Sequence, residues 1–184
     1  MIVTVKNDTA LQLALTARAT KGITNYATNG VMLDPGGALA GTDGFCAVYH
    51  PSAVEPFEGE RLIIEPLAKV PALAAGFTFD TETQMLSWTI KGAASSCACR
   101  VHDEQFPDVE RVVPTTTKAA MLDAIGFNVD YAAKIAKILK NPHMYWELTG
   151  GTGPMVLNYP ADADLRVLLM PLRTDGLSYV LPRG

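Results

Sequence analysis

Apolar and polar positions alternate from the first residues. Ile2, Val3 and Val5 interleave with Thr4 and Lys6, which predicts a strand over 1–6. Asn7 and Asp8 supply capping side chains for a helix over 9–20, with Leu11, Leu15 and Ala19 on one face. Residues 25–30 are turn-like. Short β-type runs follow at 31–33, 38–40 and 45–49, separated by the turns Asp34-Pro35-Gly36-Gly37 and Thr42-Asp43-Gly44, and 51–59 reads as loop. A second cycle has a strand over 61–64 and a helix over 65–75, with Pro66 in its first turn, Pro71 bending it and Gly76 stopping it. Strands are predicted over 77–79, 85–90 and 96–101. Pro107 and Pro114 then bracket an extended connector over 106–114, because proline fixes φ and cannot donate to a ladder. A third cycle follows, with a strand-like start over 120–127 and a helix over 129–140 capped by Asn128 and stopped by Asn141-Pro142. Strands over 144–148, 154–159 and 166–170 complete it.

A strand–helix–three-strand unit thus recurs three times with a period of roughly fifty residues, the mark of repeated architecture. Consecutive strands within each cycle predict an α+β fold of βαβββ units, with antiparallel sheets carrying their helices on one side. Two units fill 1–106, and 107–184 holds one unit and a C-terminal tail.

Composition narrows the function classes. With 184 residues, 48% hydrophobic and 18% charged, the chain is large and apolar enough to build its own core. No run approaches the roughly 18 apolar residues of a membrane span, and the first residues lack the basic start and apolar centre of a signal peptide. Three cysteines, an odd number, fit a reducing cytoplasmic setting better than a disulfide scaffold. A net charge of −4 leaves any nucleic-acid binding to a local basic face.

Isolated chemical motifs carry little. Cys97-Ala98-Cys99 with His102 suggests a metal site only superficially, since alternation turns both cysteines to one strand face, where they serve as small apolar residues. A fourth ligand is also missing from the neighbourhood, so no metal and no cofactor are expected. Gly150-Gly151-Thr152-Gly153-Pro154 lacks the Lys-Ser/Thr of a phosphate loop, and a hairpin turn suffices. Asp43 reads as a turn-capping carboxylate. His50, His102 and His143 are scattered, and no nucleophile, base and orienting group can be traced, so a binding protein rather than an enzyme is expected.

Five stretches, in order, resemble the bacterial DNA polymerase III β subunit, the sliding clamp. They are Asn25 to Leu33, Gly41-Thr42-Asp43-Gly44-Phe45-Cys46-Ala47, Phe106 to Pro114, Ile125 to Tyr131, and Leu168-Leu169-Met170-Pro171-Leu172-Arg173. A subunit of that family has three domains of two units each; this chain has three units, and Phe45-Cys46-Ala47 stands where the family has His-Arg-Leu. The resemblance implies a processivity factor with two working surfaces. One is a pocket for short client peptides of DNA polymerases and other replication proteins. Motif matching assigns it Thr42 and Gly44, then Pro107, Arg111 and Val112, then Leu169, Met170, Pro171, Leu172 and Arg173. The other is a ring lumen that holds duplex DNA by phosphate contacts without reading sequence. Its cations would be Arg18, Lys21 and Lys69 with Lys134, Lys137 and Lys140, the last three at spacing three on one helix, where a solvated lysine face is an equally good reading. The resemblance also implies a homo-oligomer, with four chains closing a tetrameric ring, and a phage or mobile-element origin. A non-encircling module that captures clamp-binding peptides is the alternative. Gly176 to Leu181 loosely resembles such a peptide itself, although an edge strand or frayed end accounts for it as well.

Overall fold

The structure is a computed structural model and describes residues 1–19, 26–114, 125–141, 143–149 and 153–172. In chain order its elements are β1 (Ile2–Thr4), α1 (Asp8–Ala17), β2 (Val31–Leu33), β3 (Leu39–Thr42), β4 (Cys46–His50), β5 (Leu62–Pro66), β6 (Ala75–Asp80), β7 (Met85–Ile90), β8 (Ala93–His102), α2 (Val129–Leu139), β9 (Tyr145–Leu148), β10 (Met155–Asn158) and β11 (Arg166–Leu169). Single 3-10 turns lie at Tyr26–Asn29 and Glu110–Val112, so the connector is not extended throughout.

Every strand belongs to one antiparallel sheet, in the order β1-β6-β7-β8-β5-β2-β3-β4-β11-β10-β9. The fold is therefore of α+β type, as the strand spacing implies. The sheet runs across the 106/107 boundary without interruption, because β4 pairs with β11 from Cys46↔Leu169 to Tyr49↔Arg166. In the three-unit division expected from the sequence, β4, β8 and β11 are each the last strand of a unit, so this junction would join two equivalent strands.

The two helices form where capping and periodicity place them. The Asn7 side chain accepts from the Ala10 N–H, and the Asn128 side chain from the Asp130 N–H. α1 buries Ala10, Leu11, Leu13, Ala14 and Ala17 and packs on α2. It stops short of the predicted Thr20 because Arg18 turns extended and its guanidinium donates to the Asn29 carbonyl at 2.7 Å. Gly41 lets α1 lie close on β3: a Cβ there would stand 2.4 Å from the Ala14 carbonyl oxygen. Lys91 and Gly92, at φ 50° and 85°, make the two-residue turn that joins β7 to β8 and lets β8 begin as early as Ala93.

One expected element is absent. No helix spans 65–75: Glu65 and Pro66 continue β5, and 67–74 is an irregular segment that leads to β6. Pro66 pairs opposite Cys99 at the end of β5, and Pro71 lacks the N–H that a helix interior needs, so too few residues remain between them for a stable helix. The Gln12 amide of α1 instead donates to the carbonyls of Pro71 and Ala74, at 3.4 and 2.7 Å. Gly76 acts as part of an irregular β6 register rather than as a helix stop. The third unit's strand start, 120–127, falls mostly outside the described residues, and 125–127 forms no regular element.

The core lies between the helices and the sheet, with Phe77, Phe79, Leu86, Leu11 and Leu13 from the first two units joined to Ile135, Met155 and Leu169 of the third. Among the described residues no helix is long and apolar enough to cross a membrane.

Candidate functional site

The turn between β3 and β4 is fixed almost atom by atom. The Thr42 hydroxyl donates to the Cys46 carbonyl at 2.8 Å and accepts the Gly44 N–H at 3.0 Å. Asp43 Oδ1 accepts the N–H groups of Phe45 and Cys46, each at 2.9 Å. Gly44 sits at φ 89°, in the region that glycine occupies without steric cost. The Tyr131 hydroxyl of α2 donates to Asp43 Oδ2, and the Met170 N–H, just past β11, donates to the Phe45 carbonyl at 2.8 Å. Four side-chain and backbone anchors thus aim Phe45 outward while Cys46 turns in.

Beside this turn opens a cavity of about 640 Å³. Its walls come from three distant stretches: the turn and start of β4, the connector, and the end of β11 with Pro154. Thr42, Gly44, Pro107, Val112 and Met170 meet there. Phe45 and Cys46, which stand where the family has His-Arg, line it too, and residues that motif matching did not assign join them: Thr28, Asp43, Ala47, Asp108, Val109, Pro154 and Leu168. Cys46, Val109 and Leu168 are buried, whereas Phe45, Val112 and Met170 are 63%, 56% and 40% exposed. The cavity therefore has an apolar interior and a large apolar rim, with Asp43 and Asp108 as its carboxylates. Burial, then the charge of Asp43, pushes the Cys46 thiol up to about 12, so it is a neutral apolar surface at pH 7. Burial followed by the Asp43 contact raises the Tyr131 phenol as well, and Lys134 Nζ stands 5.7 Å over that ring.

Other assigned residues lie elsewhere. Leu169 points into the main core, because successive strand residues face opposite ways and Leu168 takes the cavity side. Arg111 is exposed and does not line the cavity; its N–H donates to Asp108. Pro171 and Leu172 lie past the cavity, with the Leu172 N–H on the Gly126 carbonyl at 2.7 Å. Arg173 and the tail fall outside the described residues.

The basic candidates divide in the same manner. Lys69, Lys134 and Lys137 line one concave surface of about 730 Å³ on the helix side of the sheet, although Lys69 reaches it from the irregular 67–74 segment. Lys140 caps α2 in a left-handed conformation and does not line that surface. Arg18 is turned inward: its Nη1 bonds the Asn29 carbonyl, its Nε is buried without a partner among the described residues, and burial lowers the guanidinium below its ordinary value. Lys21 is outside the described residues.

The remaining polar clusters hold the fold. His50 Nδ1 accepts the Ser52 N–H, which leaves the proton on Nε2, 3.3 Å from Asp162 Oδ2. His102 Nε2 lies 2.9 Å from Glu65, and Cys97 and Cys99 are buried in the core. Among the described residues no group of three or more His, Cys, Asp or Glu is placed to hold a metal ion.

No protein-family model and no curated protein sequence matches the chain. Solved structures do. The chain is similar to the DNA polymerase sliding clamp from Bacillus subtilis (TM-score 0.64, 12% identity, 95% of this chain and 64% of that one). The DNA polymerase III subunit beta from Pseudomonas aeruginosa gives a TM-score of 0.62 at 14% identity, over 93% of this chain and 66% of that one. The Helicobacter pylori beta clamp bound to DNA ligase peptide gives 0.60 at 11%, over 94% and 65%. The chain spans slightly less than two thirds of the clamps it matches.

Proposed function

From the sliding-clamp fold of this chain, we propose that it is a clamp-like replication accessory protein that captures a short apolar peptide segment in the cavity beside Phe45. One observation carries this reading: Thr42 to Ala47, Pro107 to Val109 with Val112, and Leu168 with Met170, far apart in sequence, converge on one apolar hollow. Its size suits a few side chains of an extended peptide, and its paucity of charge matches the usual chemistry of peptide grooves. The likeness to a clamp bound to a DNA ligase peptide supports the same use of the site. The chain is read as a two-unit domain, 1–106, joined at the connector to a single unit, 107–184.

Duplex DNA is the second partner of this reading, held without sequence preference by Lys69, Lys134 and Lys137. Four chains of three units would close a tetrameric ring around it. A specific observation favours the non-encircling alternative: the second unit has no helix, and Arg18 is bound to Asn29, so three lysines carry most of the described basic face. The chain then serves as a peptide-capturing module that competes for or recruits replication proteins, and retention on circular DNA separates the two.

The test of the shared core is a fluorescence-anisotropy titration with a labelled clamp-binding peptide of the DNA ligase type. Met170→Ala and Val112→Ala are each expected to weaken binding about tenfold, the effect of removing one buried apolar contact of 1–3 kcal/mol. Equal affinity of both variants and the parent chain would sink the proposal.

A further inference from the structure

β8 carries an open edge. Its residues 93–98 pair with β7 on one side, but β5 covers only 99–102 on the other. The Leu67 N–H donates to the Ala98 carbonyl, and the chain then bends away. That bond fixes which backbone groups face outward. Ala98 points to the β5 side, so by alternation Ala94 and Ser96 point their N–H and C=O groups the same way, where no described strand meets them. The Cys99 N–H, one residue on, bonds Gln84 on the β7 side, as the alternation requires.

This edge lacks the devices that keep isolated strands apart. Ala93, Ala94, Ser95 and Ser96 are exposed, small and uncharged, with no proline and no bulge in their pairing with β7. Leu67 stands beside the edge with 58% of its surface exposed. The other two last strands of a unit, β4 and β11, are already joined to each other. Among the described strands, β8 is thus the one of its type left open.

We propose that β8 pairs with the β8 of a second copy of this chain, antiparallel, about a two-fold axis through Ser95. The β4–β11 junction is the pattern on which this rests: within the chain, last strand meets last strand. With both of those consumed, the equivalent strand available is another β8, and a patch that pairs with itself forms a closed, isologous interface. The register follows from the hydrogen-bonding groups. Centring on Ser95 sets Ala94 opposite Ser96 of the partner subunit, and the reverse, which satisfies every outward N–H and C=O of these residues. Centring on Ser96 would require the Ala98 carbonyl that Leu67 already occupies. The pairing concerns assembly alone and holds or fails independently of peptide capture. Each chain has one such strand, so this contact closes at two chains, and a tetrameric ring would need a second, different junction.

The test uses cysteine cross-linking of the whole chain, whose own three cysteines are buried. Residues facing each other across a non-hydrogen-bonded antiparallel pair have Cα atoms about 4.5 Å apart, within disulfide reach. Ser95→Cys is therefore expected to convert almost wholly to a covalent dimer under mild oxidation at micromolar concentration. Ala94→Cys, diagonal to its own copy and on the other face, is expected to react about tenfold more slowly. Ser96→Pro removes an outward N–H without touching the β7 ladder. It is expected to lower the mass seen by light scattering while the circular dichroism spectrum stays unchanged. Leu67→Glu, outside the ladder, is expected to weaken association in the same assay. A monomeric Ser95→Cys chain after oxidation, equal reaction at 94 and 95, or a parent chain that is monomeric at these concentrations would each overturn the proposal.

Discussion

Asp162 shows how much of this fold rests on single side chains. It sits in the loop before β11, and its carboxylate accepts the Asn7 amide at 2.6 Å and lies 3.3 Å from His50 Nε2, both from the first unit. Asn7 also caps α1, so the same side chain starts a helix and ties down the third unit. Burial disfavours the charge, but the Asn7 amide, His50 and the N–H groups of Leu165 and Asp164 outweigh it and hold the carboxyl below its ordinary value. A depressed folded-state pKa means stability that is full above the unfolded value of about 3.9 and lost as pH falls through the lower folded value. Asp162→Asn is expected to lower unfolding stability at pH 7 by about 1.5–3 kcal/mol, the range for hydrogen bonds to a charged group. Urea titrations of the two chains at pH 7 and near pH 2 check it: the gap narrows at the acid end. A gap of the same size at both would show that charge plays no part.

At the scale of elements, Gly41 sets the spacing between α1 and the sheet. A Cβ at this position meets the Ala14 backbone, which cannot rotate away. Gly41→Ala is expected to cost about 1–3 kcal/mol through forced separation of helix and strand, read as a lower melting temperature with the helical circular dichroism signal retained. Gly44→Ala tests the contrast, since nothing lies within 4 Å of its Cβ position and only its positive φ opposes the change.

Element boundaries were legible where a local rule decides them. Asn7 and Asn128 cap as their side chains allow, and the β7 run from Met85 to Ile90 has the predicted limits. The 67–74 segment was not legible, because helical periodicity and two prolines give opposing signals there and tertiary context chooses between them. The cavity shows the same limit. Motif matching reached Thr42, Gly44, Pro107, Val112 and Met170, yet placed Leu169 there, where strand alternation assigns Leu168. Cys46 and Val109 lie inside matched stretches, but their meeting in one wall follows only from pairing between residues far apart in the chain. Arg18 was open to misreading for the same reason: a lone arginine at a helix end looks solvent-facing until the carbonyl it bonds is known.

For the whole molecule, the cavity straddles the join between the first and third units. Its walls come from both sides of the β4–β11 ladder, so an occupant binds only when the two are together. Any ligand that binds the folded form alone stabilises it by about 2.7 kcal/mol at a hundredfold excess over its Kd. A clamp-binding peptide at that excess is therefore expected to stabilise the parent chain about twice as much as Met170→Ala at equal concentration, about 2.7 against about 1.4 kcal/mol, which differential scanning fluorimetry would report as a larger rise in melting temperature. An equal rise in both would place the peptide elsewhere.

The β4–β11 ladder also sets an order of events during synthesis. Arg166 must reach Tyr49, so β4 waits for nearly the whole chain to leave the ribosome before its second neighbour arrives. Until then Ala47, Tyr49 and the apolar floor beneath them stand uncovered at the margin of a nascent sheet. Pairing over so long a loop is slow compared with closing the hairpins on either side. The cavity consequently closes late, and a chain cut short before β11 would present a bare strand where the described fold has an apolar hollow.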